Sequence, residues 1–435
     1  MPIRPRMELF KDAVLSYRRE KAMMTLKSIF KEHYLKSPPL MPEDLEKREW
    51  GFFPFRKGGM RRHVSFIDRK EVEAYFVRET PRHSYYSVAF YREPDASKMD
   101  EKQWLGAELI FDLDADHIEG AEKMKYGEQL KSVKTEVIKL LDNYVLDAFG
   151  FDEKYVELLF SGGRGYHIHV KDPRVYGMGT RERREIVDYI TGSGLPVEDD
   201  SWLFPERSLG MTSFGRHMKV LTVRKMPGVR DPGWRGIIGQ GIGAMLDELE
   251  KKEAKTAARY LQDLVKSRGL CDDKGNKYGK ATIESTYQDL FSGESGKRGV
   301  DKLRSGTFEV FSKDRNRDFF MNLIKAESRV NAGETDQPVT TDTHRLIRVA
   351  GSLHGKTGFC VTPIDLDAIK DFDPLKNAIV LPEDDINIEC VRPADIELKG
   401  HEFKITPGIH TLPMYAGAFF LASGSAILPK ETFRA

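Results

Sequence analysis

The apolar positions of this chain switch between two spacings, and the switches mark out its elements. From Glu8 to Lys36 they follow a helix, with Leu9, Phe10, Ala13, Val14 and Tyr17, then Met23, Met24, Leu26, Ile29 and Phe30, until Pro38-Pro39 ends it. Arg48–Phe55 is aromatic and extended, and Val64–Phe66, Ala74–Phe76 and Tyr85–Tyr91 read as strands by their β-branched and aromatic content. Helical spacing returns between Leu130 and Phe149, where Val133, Val137, Ile138, Leu140, Leu141 and Val145 form the stripe. Strands are predicted again at Val156–Phe160 and Tyr166–Val170. From about Pro173 to Lys302, charge runs such as Arg181–Glu185 and Glu248–Lys255 alternate with apolar helical positions, which predicts a mostly helical insertion with solvated charged faces. Its middle, Lys225–Gly243, is rich in glycine and proline and is expected to be a loop. Beyond it come a helix at Thr341–Ile347, capped by Thr or Asp, and strands at Phe359–Thr362 and Ala378–Leu381. The 399–435 tail, apolar at Pro413–Leu421, is expected to pack on the body or on a partner.

One strand carries chemistry. In Glu108-Leu109-Ile110-Phe111-Asp112-Leu113-Asp114, alternation sends Leu109, Phe111 and Leu113 to one face and Asp112 and Asp114 to the other. Neighbouring carboxylates raise each other's pKa unless a cation lies between them, which points to Mg²⁺ or Mn²⁺ and to phosphoryl transfer. Asp-x-Asp also occurs in surface turns, so the rest of the chain has to decide.

Two further stretches bear on it. Ser161-Gly162-Gly163-Arg164-Gly165-Tyr166-His167 follows a strand; its glycines let backbone N–H groups approach an anion, while Ser161, Arg164 and His167 add a hydroxyl, a fork of donors and an imidazole. Such a loop suits a triphosphate, although it is neither a Walker A sequence nor Gly-x-Gly-x-x-Gly opening a helix. His167 and His169 share a strand face; His167, beside the loop, is read as functional and His169 as packed. The third stretch, Asp336–Gly358, holds Asp336, Asp342, Arg345, Arg348, Ser352, His354 and Lys356 among several glycines, a further acid for metal and donors for phosphates. Earlier, Arg56, Lys57, Arg61, Arg62 and His63 surround Gly58-Gly59, a basic loop that either meets phosphates or is a solvated charged turn.

Composition narrows the class without naming a partner. The 435 residues allow two or three domains, and 40% hydrophobic content supplies ample cores. With 69 basic against 68 acidic residues, net charge gives no sign of a polyanionic partner, so any nucleic-acid surface must come from local clustering. Cys271, Cys360 and Cys390 are far apart and odd in number, which argues against a disulfide scaffold and a Cys-x-x-Cys zinc site. No segment approaches about 18 consecutive apolar residues, and no apolar signal-peptide core opens the chain; a cytoplasmic protein with no membrane association is expected.

Together the Asp-x-Asp strand, the Ser-Gly-Gly-Arg-Gly-Tyr-His loop, the helical insertion and the Asp336…Arg348…Gly351-Ser-Leu-His-Gly-Lys-Thr-Gly358 stretch resemble the catalytic small subunit of archaeal and eukaryotic DNA primase, the archaeal form more closely. The resemblance runs from about Arg48 to Gly358. It implies an α/β (α+β) primase–polymerase domain with mixed sheets, split as 1–174 and 303–400 around a helical insertion at 175–302, with a tail at 401–435. It also implies a two-metal nucleotidyl transfer that makes short RNA primers, or DNA ones, on single-stranded DNA for replication, in a heterodimer with a primase large subunit. Carried over by position, Asp112, Asp114 and Asp336 match the metal ligands, with Asp342 as fallback for the third. Ser161, Arg164 and His167 match the triphosphate loop, Arg348 and His354 basic positions that hold the incoming NTP, and Arg62 a further arginine near the site. Many members carry a cysteine/histidine zinc knob after the acidic strand; here Asp116–Phe149 has no cysteine and only His117, so structural zinc is not expected. Three other readings compete: a primase–polymerase that extends ends in DNA repair, a metal-dependent nuclease or phosphohydrolase, and a non-catalytic nucleic-acid-binding subunit. The last gains nothing from acids aimed at a polyanion, and the nuclease has no need of a triphosphate loop.

Overall fold

The computed structural model describes residues 6–430 apart from Lys57, Glu119, Gly215, Arg216, Asp273 and Asn331. Lys57 of the basic loop thus lies outside the described residues. The chain forms two units, one made of the chain up to Val187 together with the chain from Glu334, the other of Asp188–Gly333.

In the first unit α1 (Arg6–Lys36) buries Ala22, Leu26, Ile29, Phe30 and Tyr34 at helical spacing. Then follow β1 (Trp50–Phe53), β2 (Arg61–Val64), α2 (Arg69–Glu79) and β3 (His83–Ser87). The strand expected at Ala74–Phe76 is the second half of α2. Asp68 caps that helix by accepting the Glu71 N–H at 3.0 Å, and Val72, Tyr75 and Phe76 are its buried face. Reading three apolar residues in isolation hid the i, i+3, i+4 spacing. The single strand expected at Tyr85–Tyr91 breaks at Val88, because β4 (Ala89–Tyr91) leaves to pair with β5 (Trp104–Ala107). After β6 (Leu109–Asp114), α3 (Tyr126–Lys139) runs into a wider π-helical segment, Leu140–Ala148, and together they bury the predicted stripe except Ile138, which is half-buried. β7 (Val156–Phe160) and β8 (Gly165–Val170) follow, and α4 (Thr180–Thr191) begins in this unit and ends in the other.

The second unit contains α5 (Asp200–Leu203), a hairpin of β9 (Glu206–Phe214) and β10 (His217–Arg224), and the helices α6 (Trp234–Glu250), α7 (Ala254–Ser267), α8 (Lys280–Phe291), α9 (Gly299–Arg304) and α10 (Asp314–Val330). It spans 188–333, against the 175–302 expected, since α10 continues the helical run. The loop expected at 225–243 is helical from Trp234 onward. Its glycines serve close approach: a Cβ on Gly239 would sit 2.4 Å from the Gly228 carbonyl carbon and one on Gly236 2.2 Å from Asp231 O.

The chain returns with α11 (Gln337–Thr341), β11 (Leu346–Arg348), β12 (Thr362–Ile364), α12 (Pro374–Asn377), β13 (Asp385–Cys390), β14 (Ala394–Leu398), β15 (His401–Ile405), β16 (Gly408–Pro413), α13 (Met414–Ala422) and β17 (Ala426–Ile427). The helix expected at 341–347 sits earlier, started by Pro338 in its first turn. Leu346–Arg348 instead pairs with β3, where Ile347 faces Tyr86. The strand expected at 359–362 begins only at Thr362, and 378–381 is irregular, although the Ala378 carbonyl accepts the Cys360 N–H at 2.9 Å. The tail packs within this unit: α13 lies on β13 so closely that a Cβ on Gly417 would meet Ile386 Cγ2 at 2.2 Å.

Two four-stranded sheets frame the first unit, ordered β11-β3-β1-β2 and β12-β7-β8-β6. The architecture is α+β, and the pairings among the described strands are antiparallel rather than mixed. Parallel neighbours need crossovers of about a dozen residues, whereas β7 and β8 are joined by the four residues 161–164. Among the described residues no helix is long and apolar enough to cross a membrane.

Candidate active site

Strand register builds the acidic side of the site. β6 pairs with β8 so that Asp112 lies opposite His167 and Asp114 opposite Gly165. Leu109, Phe111 and Leu113 fill the core behind, which leaves both carboxylates on the open face. Asp336 arrives from elsewhere in the chain: its N–H donates to the Asp112 carbonyl at 2.9 Å, at the start of α11. Burial, then the charges of Asp114 and Asp336, push the Asp112 carboxyl up to about 7, against the pull of Arg345 and Arg348. Asp342, the fallback, takes no part in that charge cluster and instead accepts the His344 N–H at 2.9 Å.

His167 is buried, with Nε2 3.5 Å from Asp112 Oδ1. Burial, with His169, Arg348 and Arg345 around it, lowers its pKa far below the ordinary range, so the ring is neutral. Its Nδ1 is buried without a hydrogen-bond partner. His169, one pleat deeper, bonds Glu108 Oε2 through Nδ1 at 3.1 Å, and Glu108 in turn pairs with the wholly buried Arg48. Burial pushes the Glu108 carboxyl up, and Arg48 and His169 outweigh it, leaving it at about 2. Arg48 also donates to the Ser87 and Val88 carbonyls at 2.9 Å, so this group braces the base of the acidic strand.

The opposite side is held by side chains that grip backbone. Gly162 has φ +75°, and a Cβ there would sit 2.8 Å from the His354 Cβ, so glycine alone fits this turn. Thr357 Oγ1 donates to the Gly162 carbonyl and Tyr126 Oη to the Gly163 carbonyl, both at 2.6 Å. Both glycine carbonyls of the loop are thereby engaged. Because the Thr357 hydroxyl has spent its proton on Gly162, it accepts from His354 Nδ1 at 3.1 Å, which places the imidazole proton on that nitrogen. Burial, then Arg348, His83 and Lys356, drive the His354 pKa well below its usual value. Arg348, on β11, lies 5.0 Å over the Tyr85 ring and donates from Nη1 to His83 Nδ1 at 3.0 Å.

A cleft of about 220 Å³ opens where these parts meet. Asp112, Asp114, Ser161, His167, Arg348 and His354 line it, together with Arg345, read from the sequence only as one of the phosphate donors of its stretch, and Tyr85, which sequence reasoning left unassigned. Arg164 stands at the rim, bonded to Asp116 at 2.7 Å and 3.7 Å from Asp114. Arg62 does not line the cleft: it is held in a two-pronged pair by Glu49, at 2.9 and 3.2 Å. Nor does Asp336 line it, although its charge reaches Asp112. A larger hollow of about 800 Å³ between α3 and residues 371–402 is lined by Tyr166, whose side chain leaves the opposite face of β8 from His167. It has no acid pair beside a glycine loop, so the smaller cleft is the candidate site.

Sequence reasoning missed His83, Tyr85, Tyr126 and Thr357. Only Thr357 had a local signal, as part of Gly355-Lys-Thr-Gly358. The others act through residues far along the chain.

Comparison with known proteins gives the class first. Residues 111–366 match the family described as DNA primase small subunit, whose members are nucleotidyltransferases. That span opens within the acidic strand and contains every sequence-predicted site residue except Arg62. The chain is 39% identical over 411 residues to the DNA primase small subunit PriS of Methanothrix thermoacetophila, covering 92% of this chain and 97% of that protein. Identity is 39% over 404 residues with PriS of Methanococcoides burtonii, at the same coverage, and 34% over 394 residues with that of Picrophilus torridus, covering 90% and 94%. The chain belongs to the archaeal DNA primase small subunit family, the catalytic subunits of DNA primases.

Proposed function

We propose that the 220 Å³ cleft is the centre where this primase subunit joins nucleotides, by a metal-assisted nucleotidyl transfer (EC 2.7.7.-) that makes short RNA primers, or DNA ones, on single-stranded DNA. The observation that carries the proposal is the pair Asp112 and Asp114 on the open face of β6, lining one cleft with Ser161, Arg348 and His354; burial and the charges of Asp114 and Asp336 raise the Asp112 carboxyl. A protein keeps carboxylates so close, at that electrostatic cost, where a cation relieves it.

The residues fit Mg²⁺ or Mn²⁺. Asp112, Asp114 and Asp336 are oxygen donors, as hard divalent ions prefer. Among the described residues no three His, Cys, Asp or Glu side chains form a closed cage. Mg²⁺ sites commonly use one or two carboxylates and complete their shell with substrate phosphates and water. When bound, two such ions would activate the 3′-hydroxyl and stabilise the charge of the transferring phosphate.

The remaining chemistry falls to the chain. Ser161 and Gly163 in the cleft, with Arg164 at its rim beside Asp114, receive the triphosphate. Arg348 supplies a fixed positive charge there, since guanidinium stays protonated. His354 Nε2 becomes a donor once the ring takes up a proton, which the charge of a bound triphosphate favours. Neutral His167 packs on Asp112 and fixes its direction without adding charge. Arg62 reaches a nucleotide only by exchanging its bond to Glu49. A primase large subunit is the expected partner, as the small-subunit designation of the relatives suggests, and contact with the single-stranded template would be largely to its backbone and hence salt-sensitive.

The test is synthesis on single-stranded DNA with labelled NTPs and Mg²⁺ or Mn²⁺, with and without a large subunit. De novo product lost in Asp112→Asn/Asp114→Asn supports the proposal. Extension of a supplied primer with no de novo product would favour end extension in repair, and no incorporation by the folded wild type would refute the assignment.

A further inference from the structure

His83 lies outside every motif discussed above, yet among the described residues it is the one side chain bonded both to Arg348 and to the turn that carries His354. Its Nδ1 is 3.0 Å from Arg348 Nη1 and 3.3 Å from the Gly355 N–H, and the imidazole is 8% exposed. Guanidinium and backbone N–H groups only donate, so Nδ1 must be the acceptor for both and the ring proton must sit on Nε2. This tautomer follows from the partners alone. The imidazolium form would place an N–H against two donors.

We infer that His83 is a positioning residue: as a neutral imidazole with Nδ1 bare, it aims Arg348 into the cleft and locks the Gly355 turn beside it, without touching the nucleotide itself. The surroundings explain why a neutral acceptor stands there. Among the described residues no carboxylate pairs with Arg348, whose nearest acids are the cleft's own Asp112 and Asp114. A carboxylate at position 83 would orient the guanidinium but also neutralise it, and would repel the phosphates that Arg348 is there to attract. An imidazole orients it and leaves its charge available to the ligand. The site keeps the ring neutral: burial, then Arg348, Arg82 and Lys356, push its pKa down to about 3. The groups facing it from its own strand and from the 348–356 segment are cationic or uncharged, and the His354 ring is set edge-on at 5.0 Å. Arg82 closes the arrangement from the other side, donating Nε to the Gly355 carbonyl at 3.0 Å.

The inference rests on the reading of Arg348 as a nucleotide-holding residue, and its test separates the two. KM for NTP and kcat are measured in template-directed synthesis with the full chain as wild type, His83→Leu, His83→Asn, Arg348→Met and His83→Leu/Arg348→Met, with thermal midpoints alongside. Losing one charge-assisted hydrogen bond that orients the arginine predicts about a tenfold rise in KM for His83→Leu with little change in kcat. His83→Asn, whose amide oxygen reaches the place of Nδ1, recovers most of that loss. The double variant is no worse than Arg348→Met alone, because His83 acts through Arg348. The pH dependence of KM between about 5.5 and 8.5 is the same in His83→Asn as in wild type, since neither side chain titrates there. Should His83→Leu fail to fold, His83→Gln replaces it: its amide lies nearer the place of Nε2, and KM rises more than in His83→Asn.

If Arg348→Met leaves KM unchanged, the reading of Arg348 falls and this inference with it. If Arg348→Met raises KM while His83→Leu does not, the inference about His83 alone is overturned. Equal losses in His83→Leu and His83→Asn that track a drop in thermal midpoint would also overturn it, by showing a merely structural role.

Discussion

The two walls of the cleft are built on different principles. The acidic wall is a strand: once β6 is paired with β8, period-two alternation alone puts Asp112 and Asp114 on the open face and Leu109, Phe111 and Leu113 in the core. The phosphate wall consists of two loops gripped by side chains from distant parts of the chain: Thr357 on Gly162, Tyr126 on Gly163, His83 on Arg348 and Gly355. One wall is rigid because of its backbone, the other because of its tethers. Substitutions on the first should therefore remove chemistry without loosening the fold, and substitutions behind the second should loosen affinity without removing chemistry.

The largest effect should separate the walls outright. Asp112→Asn is expected to lower kcat by about a thousandfold or more, as losing a ligand of a catalytic metal would. In metal-free buffer its thermal midpoint should hold or rise, because a like-charge repulsion has been removed. A fall in midpoint would show that the acids are structural after all.

Next comes the brace beneath the acidic wall. Glu108→Ala would strand the buried Arg48 charge, and breaking such a pair costs about 3–5 kcal/mol. Urea unfolding measures this. The pH dependence has a definite sign: the folded-state pKa of Glu108, about 2, lies below the 4.5 of a free glutamate, so its contribution is present above about 4.5 and is lost as pH falls toward 2. Wild type should lose stability across that window more steeply than Glu108→Gln. Parallel curves would mean that the pair contributes nothing net.

The tethers should give smaller effects of another kind. Thr357→Val frees the Gly162 carbonyl and leaves His354 Nδ1 without its acceptor, and KM for NTP is expected to rise about tenfold. Tyr126→Phe keeps the ring packing on Phe359 and Phe419 and should raise KM by about threefold. If kcat falls with KM unchanged in either variant, the contrast between the walls is wrong.

The smallest effect concerns Arg62. Its guanidinium is engaged by Glu49, so Arg62→Met should raise KM less than Arg348→Met does. A larger rise would show that Arg62 leaves Glu49 for the nucleotide and would place β2 in the binding wall.

The same contrast explains what could be read from the residues in order. The acidic strand, the hairpin around 161–164 and the α3 stripe are local patterns, each contained within about twenty residues, and they lie where periodicity puts them. The third segment was displaced: its helix is at Gln337–Thr341, and Leu346–Arg348 is a strand only because β3 is there to pair with it. Nothing in Leu-Ile-Arg distinguishes a three-residue edge strand from the end of a helix. Ala74–Phe76 failed for the opposite reason, since the helix start at Asp68 was overlooked. Gly236 and Gly239 looked like loop residues because close packing of a helix on another backbone also demands glycine. His83 and Tyr126 could not be found by any local rule. His83 is 265 positions from Arg348 and Tyr126 is 37 from Gly163, and only the folded chain brings each pair together.

The central claim is that the acidic wall exists to hold divalent ions for a triphosphate, and binding tests it more directly than turnover. Mn²⁺ would be titrated into the full chain by electron paramagnetic resonance, with and without NTP, for wild type and Asp112→Asn/Asp114→Asn. The account predicts weak Mn²⁺ binding by wild type alone, marked tightening on adding NTP, and loss of both in the double variant with its fold intact. Equal Mn²⁺ and NTP affinity in wild type and double variant would contradict it.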